Sequence, residues 1–370
     1  MLYARLARYA ATAFILLTAV HGASSSGQPG ETLGSDAVSE AWSAPPSAVT
    51  DEQQRDFNDG PTHLSGTLYY PHGAHKVPAV VALHGASSPT RDLPLYRHLR
   101  ELLPPLGIAV FVFDRRGSGK SDSSSASDDF DLLAADGIAA RHMLAQDPRI
   151  DSARIGFWGI SQGGWLALLA ASKDPKTAFA ISVSAPMTTP DIQMNFAVAN
   201  ILRVNGYGQG AIDEAIGTRR AVDDYLLGKL DRAVAQKALD VARGRPWFRL
   251  AYLRDRLDDP KTSSRLKQMR LDPLATLDRL NMPVLLLFGS ADPWTPVSVS
   301  MERVRAMARG HSNIEAMVVA GADHSMMLSL EPKVQMDPQS FPAQAPESPA
   351  YFGLMAAWLA RRHLVHFGER

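Results

Sequence analysis

The sequence contains no cysteine, which excludes disulfide bonds and thiolate-bound metal ions. Its 11 histidines do not occur in a metal-ligating spacing such as H-E-x-x-H, so we expect neither a metal nor another cofactor. An excess of either charge is also absent, because 38 Lys and Arg balance 38 Asp and Glu, and this composition does not indicate a nucleic-acid partner. Hydrophobic residues make up 45% of the 370 residues, which is typical of a globular protein with a sizeable core.

The N-terminus has the pattern of an export signal. Arg5 and Arg8 precede an apolar run over residues 10–20, which is followed by small residues. We therefore predict a signal peptide over residues 1–22 and a secreted or periplasmic protein without a stable membrane anchor after cleavage. A single-pass anchor is disfavoured because the apolar run is too short to span a bilayer comfortably. Residues 23–50 are rich in Ser, Gly, Ala and Pro and are predicted to form a flexible tether.

From residue 51 onward, runs of strand length alternate with helical patterns. A hairpin signal, Asp59-Gly60, opens this part. Continuous apolar runs predict buried strands at residues 77–83, 108–113, 154–158, 179–184, 283–288 and 314–319. Because helical stretches separate most of these runs, we expect an α/β fold with a mostly parallel sheet covered on both faces.

Residues 188–270 break this alternation, because they contain no buried-strand run and have the apolar spacing of amphipathic helices. One predicted stripe consists of Ile212, Ile216, Val222 and Leu226. A second consists of Leu230, Val234, Ala238 and Val241. Such a length exceeds that of loops in compact domains. We therefore predict a core formed by residues 51–187 and 271–370, with a helical insertion over residues 188–270.

A serine lies where a strand pattern changes to a helix pattern. The segment Gly159-Ile160-Ser161-Gln162-Gly163 has the form G-x-S-x-G, which places the serine on a sharp strand-to-helix turn with its hydroxyl exposed. Glycine is needed there because strand and helix pass each other closely and the serine backbone is strained. The pattern is short, so its meaning depends on whether the chain also provides a base, a carboxylate and oxyanion donors.

Four motifs at predicted strand ends together resemble the α/β-hydrolase family. They are His84-Gly85, the loop Asp114-x-Arg116-Gly117-x-Gly119-x-Ser121, the serine turn, and the separated residues Asp292 and His324. The order Ser, Asp, His along the chain is the order of that family. The resemblance extends over residues 66–186 and 272–366. It implies a mostly parallel α/β-hydrolase sheet flanked by helices, with a helical cap inserted between the sixth strand and the catalytic Asp.

The resemblance also implies a role for each residue of the site. Ser161 would attack an acyl carbon, His324 would take its proton as general base, and Asp292 would hold the imidazole in the correct tautomer. The oxyanion that forms would be bound by the backbone N–H groups of Ala86 and Gln162.

Residues close to these motifs have other predicted roles. His84, Gly85, Asp114 and Arg116 are expected to brace the loops near the site. Asp323 adjoins the predicted base, but neighbouring side chains point apart, so we expect a structural role for it. The end of the loop, Gly-Lys-Ser, resembles a phosphate-binding P-loop, yet the first glycine of that motif would fall on position 114, where a carboxylate would repel phosphate.

Other residues compete for the roles of base and carboxylate. His311 precedes the last predicted strand, whereas His324 follows it, which favours His324 as the base. Asp272 or Asp278 is an alternative to Asp292, and Asp292 could instead cap the helix that follows it. Its position directly after a buried strand favours Asp292.

Within the family, an insertion at this position covers the active site. Five of its residues are therefore predicted to line an acyl or side-chain pocket: Met194, Phe196, Trp247, Phe248 and Tyr252. For any one of them, however, membership of a small core within the insertion is the favoured interpretation. The Pro-rich segment 331–349 is either a second lid element or a surface excursion.

These motifs predict a serine hydrolase that forms an acyl-enzyme and transfers the acyl group to water. The loop motifs are similar to those of secreted or periplasmic esterases, and the serine turn is also similar to that of prolyl-oligopeptidase-like peptidases and dienelactone hydrolases. We favour a small-molecule carboxylic ester as substrate, with peptidase, thioesterase or lactonase activity as alternatives. A catalytically inactive binding module is the alternative from another class. A haloalkane-type mechanism is disfavoured because the nucleophile is Ser.

Overall fold

The computed structural model describes residues 49–87, 89–122, 128–328, 331–336 and 347–365. The predicted signal peptide and nearly all of the predicted tether lie outside these residues, so both remain predictions. Within the described ranges, no helix has the length and apolar character needed to cross a bilayer.

Eight strands of the described residues form one sheet. They are β1 (Thr50–Asp59), β2 (Thr62–Pro71), β3 (Val77–Leu83), β4 (Ala109–Phe113), β5 (Ile150–Ile160), β6 (Ala180–Val183), β7 (Val284–Gly289) and β8 (Ile314–Val319). Their order is β1-β2-β4-β3-β5-β6-β7-β8. The pairs β1–β2 and β2–β4 are antiparallel, and all other neighbours are parallel. The predicted mostly parallel sheet is thus confirmed.

The α-helices of the described residues lie on the two faces of the sheet and in the segment between β6 and β7. They are α1 (Arg97–Leu102), α2 (Phe130–Leu144), α3 (Gln162–Lys173), α4 (Pro190–Val204), α5 (Gln209–Leu226), α6 (Arg232–Ala242), α7 (Ser264–Met269), α8 (Pro273–Asp278), α9 (Val297–Met307), α10 (Pro332–Gln335) and α11 (Pro349–Ala360). Successive strand residues point to opposite faces, so Val81 packs in one apolar cluster and Val80 in the other. The first cluster includes side chains of α2, α3, α8 and α9, and the second those of α1 and α11.

The antiparallel hairpin of β1 and β2 turns one residue later than the Asp59-Gly60 signal indicated. Gly60 and Pro61 form the two-residue loop, since Asp59 pairs with Thr62. Gly60 has φ +55°, a conformation that glycine adopts without strain. Only Phe57 of β1 is buried. Because the rest of this strand faces solvent, its polar sequence does not form an apolar run.

Helices α4 to α7 lie between β6 and β7 and have an apolar cluster of their own. In α5, the predicted residues Ile212, Val222 and Leu226 are buried in this cluster. The predicted stripe of α6 is wrong, because Val234 and Val241 are 52% and 55% exposed. The buried face of α6 is displaced by one residue and consists of Ala235, Leu239 and Ala242. The sequence pattern was misleading because valine is more hydrophobic than alanine, whereas the face that packs in the cluster of the insertion carries two alanines. The predicted boundaries of core and insertion remain a prediction.

Candidate active site

Ser161 lies between the end of β5 and the start of α3 in a strained backbone conformation, with φ 56° and ψ −123°. The turn is held by close backbone contacts. A Cβ on Gly159 would overlap the carbonyl group of Gly163, and a Cβ on Gly163 would overlap the carbonyl oxygen of Leu83 in β3. Strand, turn and helix can therefore take this arrangement only with glycine at both positions.

His324 and Asp292 are joined by a hydrogen bond of 2.8 Å between Nδ1 and Oδ2. They follow β8 and β7, which are adjacent in the sheet. The loops after these strands approach closely at Gly289, where a Cβ would overlap the carbonyl oxygens of Ala322 and Asp323. This contact explains why glycine ends β7 and how the two side chains meet.

The carboxylate of Asp292 also caps the turn that follows it. Its Oδ1 accepts hydrogen bonds from the backbone N–H groups of Trp294 (2.7 Å) and Thr295 (3.0 Å). The two interpretations of Asp292, capping residue and histidine partner, are therefore compatible because each oxygen serves one of them. The competing carboxylates have other partners. Asp272 caps α8, and Asp278 binds His311 at 3.0 Å.

The environment of His324 favours its charged form. Its side chain is 20% exposed, and that of Asp292 is fully buried. Burial lowers the pKa of His324, but the charge of the Asp292 carboxylate and its hydrogen bond raise it by more, so that the pKa lies above the usual 6.5. Asp323 has a structural contact instead, because its Oδ1 accepts from the N–H groups of Ser325 and Met327 and so shapes the loop that carries His324.

The three predicted triad residues lie at one edge of the sheet, but the structure links only two of them directly. The carboxyl ends of the parallel strands β5, β7 and β8 precede Ser161, Asp292 and His324, respectively. In the sheet, β6 lies between β5 and β7, and β8 is next to β7. Among the described residues, the Ser161 hydroxyl forms no hydrogen bond. Such bonds are often long in unliganded sites and tighten on substrate binding.

The two predicted oxyanion residues line the same cavity. Gln162 is the first residue of α3, so its backbone N–H has no acceptor within the helix. Ala86 lies in the loop after β3, which pairs with β5. The close approach of Gly163 to Leu83 brings the start of α3 against this loop. Both backbone N–H groups thus belong to one small region of the site.

Among the described residues that line this cavity, none is one of the four predicted bracing residues. Buried His84 bonds through Nε2 to the carbonyl of Phe113, and burial lowers its pKa to about 4, so it is neutral at physiological pH. Asp114 accepts hydrogen bonds from the N–H groups of Arg91 and Lys120. Gly85 is buried in the loop after β3.

Arg116 pairs with two carboxylates and with no residue of the serine turn among the hydrogen bonds of the described residues. Its guanidinium binds Asp136 of α2, with Nε 2.8 Å from Oδ2, and Asp59 of the hairpin at 2.8 Å. The neighbouring Arg115, which sequence reasoning missed, points toward the turn and donates from Nη1 to Oε1 of Gln162 at 2.7 Å. The only sequence signal for Arg115 is its position in the loop after β4.

The cavity beside Ala86 and Gln162 has a volume of about 320 Å³. Helical residues between 190 and 269 and the irregular segment 252–258 form most of the rest of its wall. Of the five residues predicted to line it, Met194 and Tyr252 do so. For two of the other three, the alternative of a small core within the insertion holds. Trp247 and Phe248 are buried in the cluster of the insertion, and Phe196 is half-buried without lining the cavity. Charged residues that were not predicted take their place, namely Asp128, Asp191, Arg219, Arg254, Arg256, Asp258 and Arg265.

The segment predicted as a lid is described only at residues 331–336 and 347–349. The carbonyl of Gln335 accepts a hydrogen bond from Nε1 of Trp294, whose ring centroid lies 6.3 Å from that of His324. The lid interpretation itself remains a prediction. Among the described residues, no group of three or more His, Asp or Glu is arranged to hold a metal ion.

A sequence model of the serine aminopeptidase family S33, a family of α/β hydrolases, matches residues 74–332. The chain belongs to this family. The α/β-hydrolase resemblance and the prediction of a hydrolase are thereby confirmed. This S33-family hydrolase is 23% identical to a thiohydrolase from Aspergillus aculeatus over 253 aligned residues. These residues cover 66% of this chain and 78% of the thiohydrolase.

Two further proteins are similar to this S33-family hydrolase. A hydrolase from a Fusarium species is 33% identical over 144 residues, which cover 36% of this chain and 33% of that protein, so the match spans about a third of the relative. The solved structure of an esterase from Pyrococcus furiosus superposes with a TM-score of 0.54 at 18% identity, over 90% of this chain and 97% of the esterase. This structural likeness supports the fold alone.

Proposed function

We propose that this hydrolase cleaves a small-molecule carboxylic ester, with Ser161 as nucleophile, His324 as general base and Asp292 as the residue that orients the imidazole. The observation that carries the proposal is the 2.8 Å bond between His324 Nδ1 and Asp292 Oδ2 at the sheet edge where the strained Ser161 lies. A hydrogen bond at Nδ1 leaves Nε2 as the atom that takes the serine proton.

The reaction proceeds in two acyl transfers. Ser161 Oγ attacks the ester carbon while its proton moves to His324 Nε2, and the tetrahedral oxyanion then collapses with departure of the alcohol, which takes that proton. Water attacks the acyl-enzyme in the same way, with His324 again as base, and releases the acid and free Ser161. The Asp292 carboxylate stabilises the imidazolium in both steps.

The backbone N–H groups of Ala86 and Gln162 are proposed to bind the oxyanion of both tetrahedral intermediates. Each such donor is worth about 10²-fold to 10³-fold in turnover. Support comes from their common cavity and from the position of the Gln162 N–H at the start of α3, where no helical carbonyl competes for it.

Thioester hydrolysis is the second candidate, because the relative from Aspergillus aculeatus is a thiohydrolase. The family description favours peptide cleavage as a third. Rates on one acyl group presented as aryl ester, thioester and amide distinguish these activities, and a preference for the amide would contradict the ester proposal.

A fluorophosphonate probe tests the enzyme proposal itself. We expect folded wild-type protein to be labelled and Ser161→Ala to be unlabelled, with turnover below about a thousandth of wild type. Absence of labelling in folded wild-type protein would instead favour a binding module that has lost activity. We also propose that the protein is exported, which N-terminal sequencing of the mature protein tests, since a start near residue 23 is expected.

A further inference from the structure

The wall of the cavity beside the serine turn combines apolar side chains, among them Met194, Val222 and Leu239, with seven charged ones. Most of the charged side chains on and around its wall are neutralised in pairs. These are Arg254 with Asp258 at 3.0 Å, Arg265 with Asp223 at 2.6 Å, and Arg115 with Asp128 at 3.7 Å.

Arg219 differs from these residues because its hydrogen-bond partners are neutral. Its Nε donates to Oδ1 of Asn195 at 2.9 Å, and its Nη1 donates to the carbonyl of Ala251 at 2.7 Å. Among the described residues, no carboxylate oxygen lies within 4.0 Å of its guanidinium nitrogens. Asp223 and Asp191 act on it only from a greater distance, and Arg265 repels it.

This guanidinium is also deeply buried. Arg219 is 3% exposed, and burial lowers its pKa to about 10, so it is still charged at neutral pH. A buried charge without a partner of opposite sign is costly for a folded protein. An anion that enters the cavity would therefore gain a charge-assisted hydrogen bond without competing with an existing ion pair.

The position of Arg219 relates it to the chemistry. It comes from α5 on the insertion side, whereas Ala86 and Gln162 line the core side of the same cavity. Arg256, exposed and also on the cavity wall, adds positive charge to its rim. We propose that Arg219 binds a carboxylate carried by the acyl group of the substrate, so that the preferred substrates are half-esters of dicarboxylic acids. This proposal rests on the proposed function, since it places the acyl carbon at Ala86 and Gln162.

The test compares matched aryl esters on wild-type protein. All three substrates are 4-nitrophenyl esters. The half-ester of glutaric acid carries a free carboxylate, the diester in which that carboxylate is methylated is neutral, and the ester of 4-aminobutyric acid is cationic. We expect kcat/KM for the half-ester to exceed that for the neutral diester at least tenfold, mostly through KM. Equal rates for the two, or a preference for the cationic ester, would overturn the assignment of Arg219 even if the fluorophosphonate probe labels Ser161. Absence of labelling would instead contradict the proposed function.

Variants identify the residue responsible. Arg219→Gln is expected to lower the ratio of half-ester to diester kcat/KM at least tenfold, and Arg219→Lys is expected to restore part of it. Arg245→Gln is the matched control, because Arg245 lies in the insertion but pairs with Glu214 outside the cavity. The ratio of half-ester to diester kcat/KM in this variant should equal that of wild type. A wild-type ratio in folded Arg219→Gln would contradict the proposal. If that variant does not fold, the wild-type ester panel and the Lys variant decide the question.

Discussion

Arg115 and Gln162 are joined by a hydrogen bond of 2.7 Å between Nη1 and Oε1. The bond links the loop after β4 to the first residue of α3, whose backbone N–H is a proposed oxyanion donor. The loop is itself fixed, because the N–H of Arg115 donates to the carbonyl of Pro89. We therefore predict that Arg115 is a positioning residue, which acts through Gln162 rather than on the substrate.

Gln162→Leu keeps the backbone N–H but removes the acceptor of Arg115. We expect kcat to fall about tenfold with KM within about threefold, because the donor remains present but is held less firmly. Loss of a hydrogen bond to a charged group should also lower the free energy of unfolding by about 1.5–3 kcal/mol. Gln162→Glu retains an acceptor and should recover most of kcat. Wild-type kcat in the Leu variant would show that the bond is only structural.

The central strands could be predicted because each of them is covered on both faces. All residues of β3, β4 and β7 are buried, so every position must be apolar, and the pattern is continuous. For the same reason the motif residues at their ends could be found. The ends of β1 could not be predicted from an apolar run, because this strand has only one buried residue. Its length is set by its pairing with β2.

The lining of the cavity could not be predicted, because it depends on how helices pack against one another. Hydropathy selects aromatic residues, and Trp247 and Phe248 are indeed apolar enough to form the core of the insertion, which is where they lie. Arg115 and Arg116 show the same limit within one loop. Adjacent residues of identical type point to different partners, Gln162 and Asp136, and no sequence pattern distinguishes them.

Asp292→Asn tests the role of the carboxylate beside His324. An amide oxygen can still cap the following turn, so we expect a folded protein with turnover reduced about 10⁴-fold, because the tautomer of the imidazole is no longer enforced. The pH profile should also change. In wild type, kcat/KM rises with pH through a midpoint above 6.5, since His324 must lose its proton to act as base. Without the Asp292 carboxylate, burial and the smaller opposing effect of the Asp323 charge remain, so the midpoint should move downward.

Asp278→Asn is the matched control for this variant. Asp278 binds His311 in a similar carboxylate–histidine pair at 3.0 Å, but its side chain is 62% exposed. We expect its turnover and pH midpoint to equal those of wild type. An unchanged midpoint in Asp292→Asn would contradict the assignment of His324 as the titrating base.

Gly163→Ala tests the close approach of α3 to β3. The added Cβ would overlap the carbonyl oxygen of Leu83 and lie 2.8 Å from the carbonyl carbon of His84, and backbone atoms cannot rotate away. We expect the free energy of unfolding to fall by about 1–3 kcal/mol, measured from urea denaturation. Turnover should fall as well, because α3 carries Gln162.

Gly217→Ala provides the control for glycine replacement. Gly217 lies within α5, is exposed, and has no atom within 4 Å of an added Cβ. Alanine should therefore stabilise the protein by about 0.5–1 kcal/mol, since it has the higher helix propensity. If both variants shifted the urea midpoint equally, the contact at Gly163 would not be the cause.

Buried histidines should make the fold sensitive to mild acid. Burial lowers the pKa of His84 and of His98 to about 4, against 6.5 for the free side chain. Below pH 6.5 the unfolded chain binds protons that the folded protein does not, so stability is lost as the pH falls from 6.5 toward 4. The full loss is on the order of 3 kcal/mol for each histidine. His324 opposes this loss of stability in acid. Because its pKa is raised in the folded protein, protonation of His324 favours the folded state.

His98→Gln isolates one of these contributions. Nε2 of His98 lies 3.0 Å from the hydroxyl of Tyr351, and a glutamine amide can keep a hydrogen bond there without titrating. The decrease in urea midpoint between pH 6.5 and 5 should then be smaller than in wild type, because the unfolded chain has one fewer group that gains a proton. His72→Gln is the control for the substitution itself, since the side chain of His72 is 65% exposed, and its slope is compared with that of His98→Gln. A slope that is the same in both variants would mean that carboxylates, not buried histidines, govern the loss of stability in acid.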